Sequence, residues 1–83
     1  MRQSETFTKH SVNAAIQLSL FIAELRRYVR LIEADIQIEE GRLQVFDLSN
    51  AAYPTTARHL GVRRDNLNAT ISLLEGRRLR AAE

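Results

Sequence analysis

Apolar residues recur along the first half of this chain at spacings that alternate between three and four positions. The series is Ala15, Leu18, Ile22, Leu25, Val29, Ile32, Ile36, Glu39, Leu43 and Phe46, and Glu39 is its only polar member. This heptad spacing places all members on one side of an α-helix, where a second helix packs against them. The series therefore predicts one long helix over about residues 11–44, capped by Ser11 or Thr8.

A different interpretation applies to residues 35–46, where apolar and polar residues also alternate with a period of two. That alternation is typical of a β-hairpin, whose turn would lie at Glu40-Gly41. Glu-Gly is a poor pair for a tight hairpin turn, and an isolated two-stranded hairpin is marginally stable in water. We therefore favour a helix that continues through Gly41.

A second series with the same spacing follows Pro54, whose ring favours the first turn of a helix. Its members are Ala57, Leu60, Arg64, Leu67, Ile71, Leu74, Arg78 and Ala81, two of which are charged. The series predicts a second helix over about residues 54–80. The preceding segment, residues 45–53, contains Asp, Ser and Asn, which favour turns, so we expect it to be a loop.

These elements define an all-α fold, an antiparallel hairpin with helices at 11–44 and 54–80 and a loop at 45–53. A chain of 83 residues forms one domain, so we expect a frayed segment at 1–10 and a single helical-hairpin domain at 11–83.

Folding about Asn50 then places Val29 near Ile71 and Leu43 near Ala57. It also brings the head of Arg64 within reach of Glu33 or Glu40, with its stem lying along apolar surface.

Two helices alone leave much of their apolar surface in contact with water. The long helix is apolar over a broad part of its circumference, which indicates more than one packing partner. We therefore predict that it self-associates, two hairpins pairing into a helical bundle. The predicted interaction surface comprises Ala14, Leu18, Phe21, Ile22, Leu25, Tyr28, Val29 and Ile32. The expected partner is a second copy, giving a homodimer, or another helical protein.

Residues that carry catalysis are scarce. The chain has no cysteine, and neither of its two histidines, His10 and His59, has an acidic or nucleophilic neighbour at a recognisable spacing. The carboxylates between Glu33 and Glu40 lack the Glu-x-x-His pattern of metal-binding bundles, and no glycine-rich phosphate loop is present. We expect no enzyme activity, no metal, no cofactor and no small-molecule substrate.

The charge and hydropathy pattern gives no support for a membrane partner. Residues 12–23 are the most apolar stretch, and they are too short and too polar to span a bilayer or to serve as a signal peptide. The net charge of +2 is too small to indicate a nucleic-acid or membrane surface. We expect a cytoplasmic protein.

One segment supports a different function. Residues 53–72, Tyr-Pro-Thr-Thr-Ala-Arg-His-Leu-Gly-Val-Arg-Arg-Asp-Asn-Leu-Asn-Ala-Thr-Ile-Ser, contain a small residue at Ala57, a glycine at Gly61 and apolar residues at the flanking positions. This pattern resembles the helix-turn-helix of phage repressors. The resemblance implies a turn at Gly61 and a recognition helix at 63–74. Arg63, Arg64 and Asn68 would then contact DNA, since Arg reads guanine and Asn reads adenine.

The two interpretations differ at Gly61. The apolar series stays in register across this residue, and a glycine within a helix costs only about 1 kcal/mol relative to alanine. We therefore favour a continuous second helix and a non-catalytic, self-associating interaction or adaptor module. The alternative is a DNA-binding protein with recognition helix 63–74.

Overall fold

The computed structural model describes the backbone of residues 2–82 and the side chains of residues 12–80. It contains two helices, α1 (Arg2–Leu43) and α2 (Thr55–Ala82), which pack against each other in antiparallel directions. The molecule measures 65 × 17 × 14 Å, so it is a rod two helices wide. The prediction of an all-α antiparallel hairpin is confirmed.

The apolar series of both helices meet in two clusters along this rod. The cluster nearer the loop has Ile32, Ile36, Tyr53 and Ala57 at its centre, with Val45, Leu60 and Leu67 packed against it. The cluster further from the loop has Ile22, Val29 and Ile71 at its centre, flanked by Leu18, Leu25, Leu67 and Leu74. The predicted contact between Val29 and Ile71 belongs to this second cluster.

α1 ends in a turn that residues 40–45 form. Gln44 has a positive φ of 55°, and the amide of Val45 donates to the carbonyl of Glu40 at 3.2 Å. This is the Schellman arrangement, in which one left-handed residue satisfies a carbonyl at the end of the helix. The helix thus runs through Gly41 to Leu43, and the β-hairpin alternative at residues 35–46 is wrong.

Two successive turns build the loop. The amide of Asn50 donates to the carbonyl of Asp47, and the amide of Tyr53 donates to the carbonyl of Asn50, both at 3.0 Å. The Asp47 carboxylate accepts bonds from the amide and hydroxyl of Ser49, and these bonds lower its pKa. The turns return the chain toward α1 and place the Tyr53 side chain in the core.

This early return changes the expected register near the loop. Ala57 shares a cluster with Ile36, while Leu43 is 48% exposed and Phe46 is 65% exposed. Leu43, which was predicted to lie near Ala57, is thus half-exposed and is not a member of the buried cluster. The cause is that Tyr53 and Val45, rather than Leu43 and Phe46, close the core at the loop.

The helix bounds differ from the predicted ones mainly at the first residue of α1, which is Arg2 rather than a residue near 11. The predicted frayed segment, residues 1–10, lies outside the part of the chain whose side chains are described. α2 passes through Gly61 without a break or a positive φ, so the prediction of a continuous second helix is confirmed.

Candidate interaction surface

The predicted interaction surface divides into a buried part and an exposed part. Five of its residues pack inside the hairpin, namely Leu18, Ile22, Leu25, Val29 and Ile32. Ile22, for example, is only 1% exposed. These five residues belong to the apolar series of the first helix, and α2 of the same chain packs against them. Ala14, Phe21 and Tyr28 remain exposed.

These three exposed residues form what we call the aromatic face. They recur every seven residues, so they lie on one side of α1, next to the strip that packs on α2. Phe21 is 52% exposed and Tyr28 is 43% exposed. The guanidinium of Arg63 lies 5.2 Å from the centroid of the Tyr28 ring and donates to its hydroxyl at 2.9 Å. α2 therefore contributes the edge of this face.

A separate apolar surface lies on α1 nearer its N-terminus. Val12, Ile16 and Leu20 are each more than half exposed, and they line a shallow groove of about 360 Å³ with Ala15 and Ser19. α2 runs alongside only the C-terminal part of this stretch, because its residue Glu75 already pairs with Arg26 and only seven residues of helix follow. We call this the N-terminal apolar surface.

A third concave feature lies between the helices at the loop. This loop-end cleft has a volume of about 270 Å³ and is lined by Glu33, Ile36, Gln37, Glu40, Phe46, Leu48, Tyr53, Ala57, Gly61 and Arg64. Arg64 lines it without an ion pair to Glu33 or Glu40, since its Nε contacts the carboxylate of Asp65 at 3.1 Å. The predicted placement of Arg64 beside Glu33 and Glu40 is found, but no ion pair joins it to either of them.

Tyr53 is the residue of this cleft that the sequence did not single out. Its ring is buried, its hydroxyl donates to Oε2 of Glu40 at 2.9 Å, and the guanidinium of Arg58 lies 5.3 Å from its centroid. Burial raises the pKa of the Tyr53 hydroxyl, and the bond to the Glu40 carboxylate raises it further. The position directly before Pro54 was the one signal available, because the residue before a proline is held extended.

The described residues offer no assembled centre for metal chemistry. Among them, no three His, Cys, Asp or Glu side chains are placed to share a metal ion. His59 is exposed on α2. In the same part of the chain, no helix combines the length and apolar character needed to cross a bilayer.

The three residues of the DNA-binding alternative all lie on α2, where Arg64 and Asn68 are four residues apart and share one side of the helix. Arg63 is held on Tyr28 and Arg64 on Asp65, while Asn68 is exposed. Arg63 and Asn68 are five residues apart on a continuous helix, which places them on different sides of it. The turn at Gly61 on which the resemblance depends is not formed.

Comparison of the chain with protein-family models, with curated proteins and with solved structures yields no match in any of the three.

Proposed function

We propose that this protein is a non-catalytic interaction module that self-associates, two hairpins pairing into a helical bundle through the aromatic face. The observation that carries the proposal is the amount of surface the single hairpin exposes. Its accessible surface is 6679 Å², whereas a compact monomer of this mass exposes about 5,000 Å². The excess, about 1,700 Å² for one chain, is larger than the roughly 800 Å² that each partner buries in a specific protein interface of standard size.

The aromatic face is the surface best suited to cover that excess. Aromatic residues bury large apolar areas, and Tyr, Phe and Arg are enriched at the centres of interfaces. Phe21 and Tyr28 supply such side chains, and Arg63 lies beside them. The face is also flanked by the half-buried Leu25 and Leu74, which would become fully buried beneath a second hairpin.

An adaptor role follows from the remaining apolar residues. In the proposed dimer the N-terminal apolar surface of each chain stays uncovered, so each assembly offers two copies of Val12, Ile16 and Leu20 to a helical partner. A place in the cytoplasm is part of the proposal. It is supported by the lack of cysteine, since small secreted domains usually depend on disulfides.

The test is the mass of the protein in solution, measured by light scattering and sedimentation. We expect the native chain to be a dimer and Phe21→Glu to be a monomer, because the substitution places a charge in the apolar centre of the contact. The helical circular dichroism of the variant should be retained, since Phe21 is half-exposed in the single hairpin.

Ile38→Glu is the matched control. Ile38 also lies on α1, is 64% exposed, and sits away from the aromatic face. The substitution changes size and charge in the same way, so the variant should remain a dimer. A native chain that stays monomeric at hundreds of micromolar would overturn the proposal, as would a Phe21→Glu dimer as tight as the native one.

A further inference from the structure

The N-terminal apolar surface continues into arginines along the same side of α1. Arg27 lies seven residues after Leu20, and Arg30 lies fourteen residues after Ile16. Because α1 is unbroken over this stretch, these heptad intervals place each arginine on the same side as its apolar counterpart. The helical rise gives this side a length of about 27 Å from Val12 to Arg30. We call Arg27 and Arg30 the basic extension of the N-terminal apolar surface.

Both arginines of the basic extension are open to an incoming carboxylate. Among the described residues, Arg30 takes part in no ion pair. Arg27 contacts Glu24 at 3.4 Å, and since both side chains are mostly exposed, the pair is weak. The other acidic residue nearby, Glu75, is already paired with Arg26. The basic extension therefore keeps positive charge that the hairpin does not compensate.

The apolar half of this side is shaped to receive a helix. Val12, Ile16 and Leu20 follow one another at intervals of four residues, which is the spacing of a ridge on a helix surface. The small side chains of Ala15 and Ser19 leave the shallow groove beside that ridge. An amphipathic helix fills such a groove with apolar side chains that recur every three to four residues.

We propose that the N-terminal apolar surface binds an amphipathic helix whose apolar stripe is continued by carboxylates that meet Arg27 and Arg30. This inference rests on the adaptor role proposed above and names the chemistry of the partner. The apolar residues of the partner fill the groove, and its glutamates or aspartates lie one to two turns further along. Arginine binds a carboxylate through two parallel hydrogen bonds, so the basic extension also fixes the direction of the bound helix.

An anionic bilayer also attracts apolar and basic residues, but it matches this side less well. Helices that lie on bilayers carry lysine or arginine beside the apolar strip along its length. The polar residues beside this strip are Asn13, Gln17 and Glu24, two of them neutral and one acidic. The arginines instead follow the strip along the helix axis, where they meet carboxylates on a partner that lies along α1.

Two synthetic peptides of about 20 residues, long enough to cover this side, test the proposal. Both carry leucine at heptad spacing in one half and alanine elsewhere. In the other half the stripe continues with glutamate in the acidic peptide and with lysine in the basic peptide. We expect the full chain to bind the acidic peptide roughly tenfold more tightly, measured by fluorescence anisotropy of the labelled peptides.

Equal affinity for the two peptides, or no binding of the acidic one, would overturn the proposal. Vesicles of phosphatidylcholine with about 30% phosphatidylserine are the third probe. Binding of these vesicles without binding of the acidic peptide would assign the surface to a membrane and overturn the proposal as well.

A charge reversal in the basic extension must act on the two peptides with opposite signs. Arg30→Glu should raise the Kd of the acidic peptide about two- to fivefold and lower that of the basic peptide. Arg42→Glu is the matched control, because it makes the same change of charge in the last turn of α1. It should leave both Kd values within about twofold of the native ones. Equal effects of the two reversals would overturn the role of the basic extension.

The mass of the same samples separates this inference from the self-association. Ile16→Glu should lose the acidic peptide and remain a dimer, because Ile16 lies outside the aromatic face. A native dimer that binds no acidic peptide overturns this inference alone. A native monomer that binds it overturns the self-association alone. If Ile16→Glu became a monomer, the N-terminal apolar surface would be the contact between copies, and this inference would fail.

Discussion

Gln44 holds a backbone conformation that its side chain disfavours. It has a φ of 55° at the end of α1, a region that glycine adopts without the steric cost paid by other residues. We predict that Gln44→Gly raises the free energy of unfolding by about 1 kcal/mol. Urea denaturation monitored by circular dichroism measures it. Gln44→Ala is the control, because it removes the same side chain and keeps the steric cost. Equal free energies of unfolding for the two variants would contradict the prediction that the backbone of Gln44 is strained.

Tyr53 makes the stability of the hairpin decrease at alkaline pH. Because the pKa of its hydroxyl is raised in the folded state, the folded chain retains this proton where the unfolded chain loses it. The associated stability is present below pH about 10 and is lost as the pH rises through the folded pKa. We predict that urea denaturation between neutral pH and pH about 11 shows this loss in the native chain and less of it in Tyr53→Phe. Parallel curves for the two proteins would contradict the prediction.

At the scale of the element, a substitution at Gly61 tests whether α2 is continuous. A Cβ built on this residue would lie 3.7 Å from Nη2 of Arg64, which is ordinary contact. We therefore predict that Gly61→Ala stabilises the protein by about 0.5–1 kcal/mol through helix propensity. Gly41→Ala is the matched control, since its Cβ would meet nothing within 4 Å. It should stabilise by a similar amount. If Gly61→Ala destabilised while Gly41→Ala stabilised, a turn at Gly61 would be indicated.

The elements were predictable from periodicity, and the contacts at their ends were not. The three-four spacing identified both helices and the Val29–Ile71 contact, because one strip of each helix must face the other. The register near the loop depended instead on where α1 stops. That point is set by a left-handed Gln44, and glutamine gives no such signal in a sequence. Tyr53 consequently closes the core where Leu43 was expected.

At the scale of the whole molecule, the structure divides the predicted interaction surface into residues that α2 covers and residues that stay exposed. α2 buries Ile22, Val29 and Ile32, because the apolar strip of α1 packs first against the second helix of the same chain. Phe21 and Tyr28 lie beside those residues on α1 and remain exposed. Telling the buried residues from the exposed ones requires knowledge of the angle at which α2 packs on α1. The spacing of apolar residues along one helix does not determine that angle.

A dimer of this kind ties folding to association. Whatever binds the folded state alone stabilises it by mass action, so the melting temperature must rise with protein concentration. For a domain of this size we expect about 3 °C for each tenfold increase, measured by circular dichroism over a hundredfold range. Phe21→Glu should melt at one temperature throughout, while Ile38→Glu should follow the native slope. A concentration-independent native chain would mean that the exposed 6679 Å² belongs to a stable monomer, and that the aromatic face awaits a different partner.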